Sequence, residues 1–367
     1  MSDKTNLTAA PTKTHNYGID ALRMLAMFMV VTTHVLGPGG ILDNAPMGSL
    51  SYEAAWFLEI ACYCTVNCYA LISGYVGGSA KYRYHSILLL WLRVAFYTLS
   101  LTLIFSIAVP GAVTLKHWVF ALLPVTYGGY WYFTSYFALF FFLPLLNIGL
   151  CRLGEKQLRA VAIGLVLVFS FVQAISGGDI FSISSNAWWL MILYIIGGYI
   201  GKYGLFPKWG AARMFLGYLL MTSLTWLSKV FIESGIFPPL EALGGKYLVN
   251  HTAPAMLGAG VFLLLAFQRI TFPKRAEGII RFFSPMAFSV YLIHANPFVW
   301  DHLLSQRFAW FAQLSAPLEI GLTLLTTLAI YLSCSLADLI RIGIFKALKL
   351  KPRLAGLEEK YLGGLWQ

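Results

Sequence analysis

Residues 20–34 read Asp-Ala-Leu-Arg-Met-Leu-Ala-Met-Phe-Met-Val-Val-Thr-Thr-His, an apolar stretch with ionisable side chains only at Asp20, Arg23 and His34. Eleven positions separate Arg23 from His34. In a helix that is about three turns, so both side chains fall on one face, about 16 Å apart along the axis. An ionisable group inside an apolar span is costly unless a partner or a water-filled cavity receives it, so this stripe predicts a functional site. Two structural alternatives stay open: Arg23 is near enough to the end of the span to snorkel, and His34 can be a satisfied core histidine.

The composition predicts the fold class. Hydrophobic residues make up 59% of the chain and charged residues 11%, which is typical of a polytopic membrane protein and not of a soluble domain. Long apolar segments without strict alternation favour helices, each needing about 20 residues to span a bilayer. We therefore predict an all-α membrane protein, a bundle of about ten transmembrane helices of which the sixth and eighth are short. The predicted spans are 18–37, 54–77, 86–109, 131–150, 158–176, 187–201, 212–231, 252–268, 283–300 and 317–342.

The distribution of Lys and Arg predicts the orientation. Cytoplasmic loops carry an excess of these residues, and most of the 26 in this chain lie near the termini or in alternate loops. We therefore expect a cytoplasmic leader (1–16), a transmembrane domain (17–342) and a basic cytoplasmic tail (343–367), with both termini inside. The net charge of +11 then reflects topology, and membrane lipids, not nucleic acid, are the expected partners of the basic residues.

A second arginine lies inside the bundle, because Arg93 is about two turns into the third span, at a depth comparable with that of Arg23. Two guanidiniums facing one cavity repel each other unless an anion lies between them, and guanidinium matches phosphate geometry bidentately. The pair therefore predicts a phosphorylated ligand that enters from the cytoplasm. Separate snorkelling of the two arginines is the alternative.

Polar and aromatic side chains also gather in the outer halves of three spans. Glu59 either pairs with the histidine of the first span or faces the outer headgroups. Trp131 and Tyr132, which open the fourth span beside glycines and hydroxyls, suit a sugar ring, although an interfacial aromatic belt gives the same pattern. Tyr291 and His294 share a face of the ninth span, where a purely structural role is the alternative. The histidines of the chain have no paired ligand spacing, so no metal site is predicted.

The Asp20, Arg23, His34 pattern resembles the first span of the integral-membrane acyltransferase type three family, the bacterial cell-surface polysaccharide O-acyltransferases. Three further matches fall in the same order along the chain. They are Ile72-Ser73-Gly74-Tyr75, then Tyr130-Trp-Tyr-Phe-Thr-Ser-Tyr136 leading to Pro144-Leu-Leu-Asn147, and Tyr291-Leu-Ile-His294. Together with the matching topology, they extend the resemblance over the whole chain.

The resemblance implies transfer of an acyl group, commonly acetyl, from cytoplasmic acyl-coenzyme A to a hydroxyl of a surface glycan or its lipid-linked precursor. By this resemblance, His34 is the general base or proton shuttle. Arg23 either holds the phosphates of the donor or positions its thioester. The other donor-side candidates are Asp20, Ser73, Arg83 and Arg93. The acceptor-side candidates are Glu59, Trp131, Tyr132, Tyr291 and His294. Relatives often carry an arginine cluster after the second span, whereas this chain has only Lys81 and Arg83 there.

The residue types fit this chemistry without the resemblance. A neutral imidazole can take the proton of a sugar hydroxyl as it attacks a thioester, a step typically worth about 10²–10⁴-fold. The resemblance further implies acetyl-coenzyme A, or another acyl-coenzyme A, as a substrate, no tightly bound cofactor, and a location in the bacterial cytoplasmic membrane. A homo-oligomer or glycan-synthesis partners are further expectations, since the short tail leaves the last transfer to this chain or to a partner.

Two other classes of function compete with a transferase. A glycan exporter or flippase also has about ten spans with polar residues at mid-depth, but the polar groups here concentrate in spans one to four and nine, without an inverted repeat. A membrane scaffold of a polysaccharide-synthesis complex would tolerate the loss of both Arg23 and His34. Consumption of acyl-coenzyme A separates the transferase from both.

Overall fold

The computed structural model of the protein has regular structure that is entirely helical, with no β-strand among the residues that it describes. These are residues 15–78, 82–127, 129–176, 179–183, 185–238 and 244–362. Most of the predicted leader (1–14), the last five residues of the predicted tail (363–367) and Lys81 lie outside them.

In the described part of the chain, ten main helices follow one another, one at each predicted span. They are α1 (Tyr17–Leu36), α2 (Leu50–Gly77), α3 (Tyr84–Ala108), α4 (Trp131–Arg152), α5 (Glu155–Ile175), α6 (Ala187–Tyr203), α7 (Ala211–Glu233), α8 (Pro254–Phe267), α9 (Lys274–His294) and α10 (Ala316–Ala347). An eleventh helix, α11 (Leu350–Leu362), lies in the predicted tail. Eight of the ten, all but α6 and α8, are long and apolar enough to cross a membrane. The chain is an all-α, multi-pass membrane protein.

The two short helices are enclosed by the bundle. Eleven of the 17 residues of α6 are buried, and α6 packs against α2 through glycines of both helices. A Cβ added to Gly74 would lie 2.0 Å from the backbone oxygen of Tyr194, and one added to Gly197 would lie 2.1 Å from that of Leu71. Small residues of this kind let transmembrane helices approach closely. Because protein surrounds α6 and α8, they do not have to match the thickness of the lipid.

The start of α1 is fixed by a cap that also joins it to α8. The side chain of Asn16 accepts a hydrogen bond from the backbone N–H of Gly18 at 2.9 Å and donates to the backbone oxygen of Gln268 at 2.9 Å. This places Asp20 in the first turn, where a carboxylate favours the helix dipole, and His34 in the last turn. The two ends of the polar stripe on α1 therefore lie at opposite ends of the helix.

The ninth helix differs from the predicted span (283–300), because α9 begins at Lys274 and ends at His294. Asn296 caps a new turn, its side chain accepting from the backbone N–H of Phe298 at 3.1 Å. Pro297 follows as the first residue of that turn, a position that needs no N–H donor. His294 consequently lies in the final turn of a helix and not in the middle of a span.

The tail helix α11 docks at the start of α3 through one carboxylate. Glu358 accepts hydrogen bonds from the backbone N–H groups of Tyr84 (2.8 Å) and His85 (3.0 Å) and from the His85 ring (2.5 Å). It thereby satisfies N–H groups that a helix leaves free at its N-terminus. Partial burial alone would raise the pKa of Glu358, but these hydrogen bonds hold it below its ordinary value.

Candidate active site

Two cavities lie end to end inside the bundle, one at each end of α1. The large cavity has a volume of about 750 Å³ and is lined by Asp20 and Arg23 from the start of α1. The small cavity has a volume of about 290 Å³ and is lined by His34 from the end of that helix. The structure thus places the two ends of the predicted α1 stripe in separate, neighbouring cavities.

The large cavity collects positive charge from three helices. Arg23 of α1, Arg93 of α3 and Arg281 of α9 all line it, and Asp20 is the only carboxylate among the described residues that do. That carboxylate already accepts hydrogen bonds from Arg23 and, at 2.6 Å, from His15. Arg93 donates to the backbone oxygen of Pro285 at 3.4 Å. Within the described part of the chain neither Arg93 nor Arg281 has a carboxylate partner, so the cavity suits an anion with more than one charge.

Arg281 was not among the predicted site residues, although the sequence carries a signal for it. Arg281, Ser284, Pro285 and Phe288 follow one another at helical spacing and all line the large cavity. The predicted spans place Arg281 in the basic loop between the eighth and ninth spans, so the helical spacing of these four residues was not recognised. The loop prediction failed because α9 begins seven residues before Arg281, so the arginine lies within the helix.

In the small cavity, a second histidine holds the ring of His34. His294 Nδ1 lies 2.6 Å from the backbone oxygen of Val290, and His294 Nε2 lies 2.9 Å from His34 Nδ1. Because a carbonyl oxygen only accepts, His294 Nδ1 must carry a proton, and a neutral His294 then accepts at Nε2 from His34 Nδ1–H. With both rings neutral, the proton-free nitrogen of His34 is Nε2, and the half-buried His34 lines the cavity.

Of the two alternatives for Glu59, the structure does not show the pairing with His34, because the hydrogen-bond partner of His34 among the described residues is His294. Glu59 nevertheless lines the same small cavity, and its Oε2 atom is buried without a hydrogen-bond partner among the described residues. A buried acceptor of this kind is costly unless a ligand satisfies it. Glu59 is therefore suited to accept a hydrogen bond from a hydroxyl group in the cavity.

A third histidine, His251, also lines the small cavity. It was not among the predicted site residues, because the sequence pattern was assessed at this histidine only for metal binding. Its ring stacks on those of Tyr63 (centroids 4.6 Å apart, planes at 17°) and Trp131 (6.1 Å, 24°). Burial lowers the pKa of His251 to about 4, so the ring is neutral at physiological pH. Its Nδ1 atom has no hydrogen-bond partner among the described residues, which leaves a second polar atom available to a ligand.

Three aromatic side chains separate the two cavities, and we name them the aromatic partition. Tyr69 of α2, Tyr132 of α4 and Phe288 of α9 are the only described residues that line both cavities. The ring centroids of Tyr69 and Tyr132 are 6.1 Å apart. Tyr69 also donates from its hydroxyl to the backbone oxygen of Arg23 at 2.8 Å, which ties α2 to α1 at this level.

The remaining predicted residues divide between the cavities, with two exceptions. Ser73 lines the large cavity, and Trp131 and Tyr291 line the small one. His294 is 2% exposed and acts through its contact with His34. Arg83 lies at the exposed N-cap position of α3 and is not among the residues that line either cavity. The structure thus brings ten of the eleven predicted residues to the cavities or into contact with them.

The arrangement places an anion-binding site in the large cavity and a general base in the small cavity, with the aromatic partition between them. A ligand with several negative charges fits the large cavity, and a neutral ligand rich in hydroxyl groups fits the small one. The free Nε2 of His34 can accept a proton from such a hydroxyl. A group transferred from the anionic ligand to the hydroxyl has to cross only the aromatic partition.

Comparison with known proteins gives one match. A family profile for an acyltransferase domain matches residues 16–336, a range that contains α1 to α9, most of α10 and every lining residue of the two cavities except His15. No curated protein and no solved structure shows significant similarity to the chain.

Proposed function

Because the chain belongs to the acyltransferase 3 family and is therefore a membrane acyltransferase, we propose that it moves an acetyl group from acetyl-coenzyme A to a hydroxyl of a cell-surface polysaccharide or of its lipid-linked precursor. The observation that carries this proposal is the placement of His34. His34, whose Nε2 is free, lines a cavity that shares only three aromatic side chains, among the described residues, with a cavity lined by three arginines. A polyanionic donor and a hydroxyl acceptor can therefore meet at one point.

The donor binds in the large cavity. Coenzyme A carries phosphates at the end opposite its thioester, and guanidinium groups bind phosphate through charge-assisted hydrogen bonds. Arg93 and Arg281, which lack carboxylate partners among the described residues, hold these phosphates, while Arg23 stays bonded to Asp20 until the donor arrives. Ser73 lines the same cavity beside the pantetheine arm. The thioester then points toward the aromatic partition.

The acceptor binds in the small cavity. Its sugar ring packs against Trp131 and Tyr132, and its hydroxyls bond to Glu59 Oε2 and His251 Nδ1, which have no partner among the described residues. Aromatic faces combined with a few polar atoms are a general way of holding a sugar. One hydroxyl is thereby directed at His34 Nε2.

The reaction is a direct acyl transfer. His34 Nε2 takes the proton of the hydroxyl as its oxygen attacks the thioester carbon, and the His34 imidazolium is stabilised by the hydrogen bond from Nδ1–H to His294 Nε2. The tetrahedral intermediate then collapses with cleavage of the carbon–sulfur bond. The departing coenzyme A thiolate takes the proton from His34, so that an ester and free coenzyme A leave together and the histidine returns to its neutral form.

Topology supports a place for this reaction in the bacterial cytoplasmic membrane. With both termini cytoplasmic, as the Lys and Arg distribution predicts, the large cavity opens toward the cytoplasm, where acyl-coenzyme A is made. The small cavity then faces the compartment in which surface glycans are assembled, so that the acceptor is reached from the other side.

The test is incorporation of radiolabelled acetyl from acetyl-coenzyme A into an envelope glycan extract by purified protein in lipid vesicles. Wild type should label the glycan and release free coenzyme A, whereas His34→Gln should do neither while inserting and binding the donor normally. An exporter would move lipid-linked glycan without consuming acetyl-coenzyme A. Robust labelling by His34→Gln would refute the role of His34, and no consumption by wild type would refute the transferase with this donor.

A further inference from the structure

Two members of the aromatic partition, Tyr69 and Tyr132, carry a hydroxyl group, and the third, Phe288, does not. Tyr69 is held by its hydrogen bond to the backbone of Arg23, and Tyr132 stacks on Tyr136 with ring centroids 6.4 Å apart. Phe288 is half-buried and touches the rest of the site through its ring alone, with its centroid 6.0 Å from that of Tyr291. It is therefore the member whose size can change without the loss of a hydrogen bond.

The partition lies at the point where the acyl group has to be. The arginines that would hold the donor line only the large cavity, whereas His34 lines only the small one. Under the proposed function, on which this step rests, the acyl group is the leading end of the donor. It consequently reaches His34 only by passing between Tyr69, Tyr132 and Phe288.

The room beyond the partition is limited. A volume of about 290 Å³ corresponds to about ten waters at about 30 Å³ each, and one hexose, whose bonded atoms pack more closely than separate waters, takes up most of that space. One sugar ring therefore fills most of the small cavity. Each further carbon on the acyl group competes with the sugar for the remaining space or meets the ring of Phe288.

We propose that the aromatic partition selects the donor by acyl length and that Phe288 is the specificity-determining residue. An acetyl group fits between the partition and the bound sugar, and a butyryl group does not.

The experiment compares acetyl- and butyryl-coenzyme A in the same enzyme preparation, with an envelope glycan extract as the acceptor and thiol release as the readout. One methylene typically changes kcat/KM by about 10–200-fold in a closed pocket, so wild type should prefer acetyl by about 100-fold or more. Phe288→Ala removes six ring carbons, more than the two that butyryl adds, and should lower this preference by at least about 10-fold. Because the result is a ratio within one preparation, the amount of folded protein cancels.

Two further variants serve as a milder substitution at the same position and as a control at another. Phe288→Leu makes a smaller change and should lower the preference by a smaller factor, which provides a measurement if the alanine variant does not fold. Phe283→Ala is the matched control, since Phe283 is half-buried on the same helix, five residues earlier, and is not among the residues that line either cavity. It should keep the wild-type preference.

Each contrary outcome points to one error. An unchanged ratio in both Phe288 variants, an equal shift in Phe283→Ala, or a wild type that uses butyryl as readily as acetyl would overturn the role of the partition. A wild type that releases coenzyme A from neither donor would instead refute the proposed function and leave no donor preference to explain.

Discussion

Replacing His294 with Leu tests the histidine pair without removing the base itself. The variant deletes the acceptor that lies 2.9 Å from His34 Nδ1, so His34 keeps its place on α1 but loses the group that sets its tautomer. When His34 takes the proton of the acceptor, the lost bond is one from a charged donor, typically worth about 1.5–3 kcal/mol. At about 1.36 kcal/mol per factor of ten, kcat should fall by about 10–150-fold.

The fall should appear in kcat and not in the donor KM, because His294 has no contact with the large cavity. Initial rates of coenzyme A release at varied acetyl-coenzyme A, with a fixed envelope glycan extract, separate the two. His294→Gln places an amide oxygen near the position of the ring Nε2 and should recover part of the loss. A purely structural role for His294 would give no such recovery.

The matched control is His302→Leu. The His302 ring also bonds through Nδ1 to the backbone oxygen four residues earlier, Phe298, at 3.0 Å, but it packs against Phe105 and is not among the residues that line either cavity. This variant should keep the wild-type kcat. Wild-type kcat in His294→Leu, or a loss confined to donor KM, would refute the assignment of the proton-free nitrogen to His34 Nε2.

Three further predictions concern the cavity, the packing and the tail. Arg281→Gln should raise the KM for acetyl-coenzyme A by about 10-fold or more with kcat nearly unchanged, since a charge-assisted hydrogen bond contributes about 1.5–3 kcal/mol. The control is Arg275→Gln, which replaces an exposed arginine on the same helix and should leave both kcat and KM unchanged. Gly74→Ala should destabilise the protein by about 1–3 kcal/mol in thermal unfolding, because its Cβ would meet backbone atoms. Gly164→Ala has open space around it and should not change the stability. Equal melting temperatures of the two variants would contradict the account of the α2–α6 contact. Hydrogen bonds in the folded protein hold the pKa of Glu358 below its ordinary value. The ionised Glu358 therefore stabilises the fold above the ordinary glutamate pKa, and this stabilisation is lost as the pH falls through the lowered pKa. Wild type should be more stable than Glu358→Gln near neutral pH, and the difference should shrink on acidification.

The sequence was sufficient for the fold because its signals are local. A span in lipid needs a long apolar segment wherever it occurs, so each of the ten helices could be predicted from its own residues. The shortness of α6 and α8 could also be read from the sequence, but its cause could not. It depends on the enclosure of both helices by the bundle, including the close approach of α2 and α6 at Gly74 and Gly197, which is a property of tertiary packing.

The candidate site was predicted as a set of residues and not as an arrangement. The periodicity of α1 placed Arg23 and His34 on one face, and the structure separates them into two cavities, which the spacing of residues along one helix does not indicate. The partner of His34 could not be predicted because its contact with His294 joins spans one and nine, 260 residues apart in the sequence. Nothing in either helix alone indicates that His294, and not Glu59, is the nearer group.

Element boundaries account for the remaining errors. Arg281 was missed because α9 begins earlier than hydropathy suggests, within a segment that carries four basic residues from Arg269 to Arg281. His251 was missed because it lies outside the helices, just before α8, where only the stacking on Tyr63 and Trp131 reveals its place in the small cavity. Both residues depend on contacts between helices that are distant in sequence.

The central claim is that donor and acceptor meet from opposite ends of the bundle, and sided vesicles test it most directly. Radiolabelled acetyl-coenzyme A is confined to one side of oriented vesicles and an envelope glycan extract to the other, and acetylated glycan is measured. We predict labelled glycan when the donor is on the side that carries the chain termini and the glycan is opposite, and none when the two are exchanged. Labelling that requires donor and acceptor on the same side would contradict the two-cavity account.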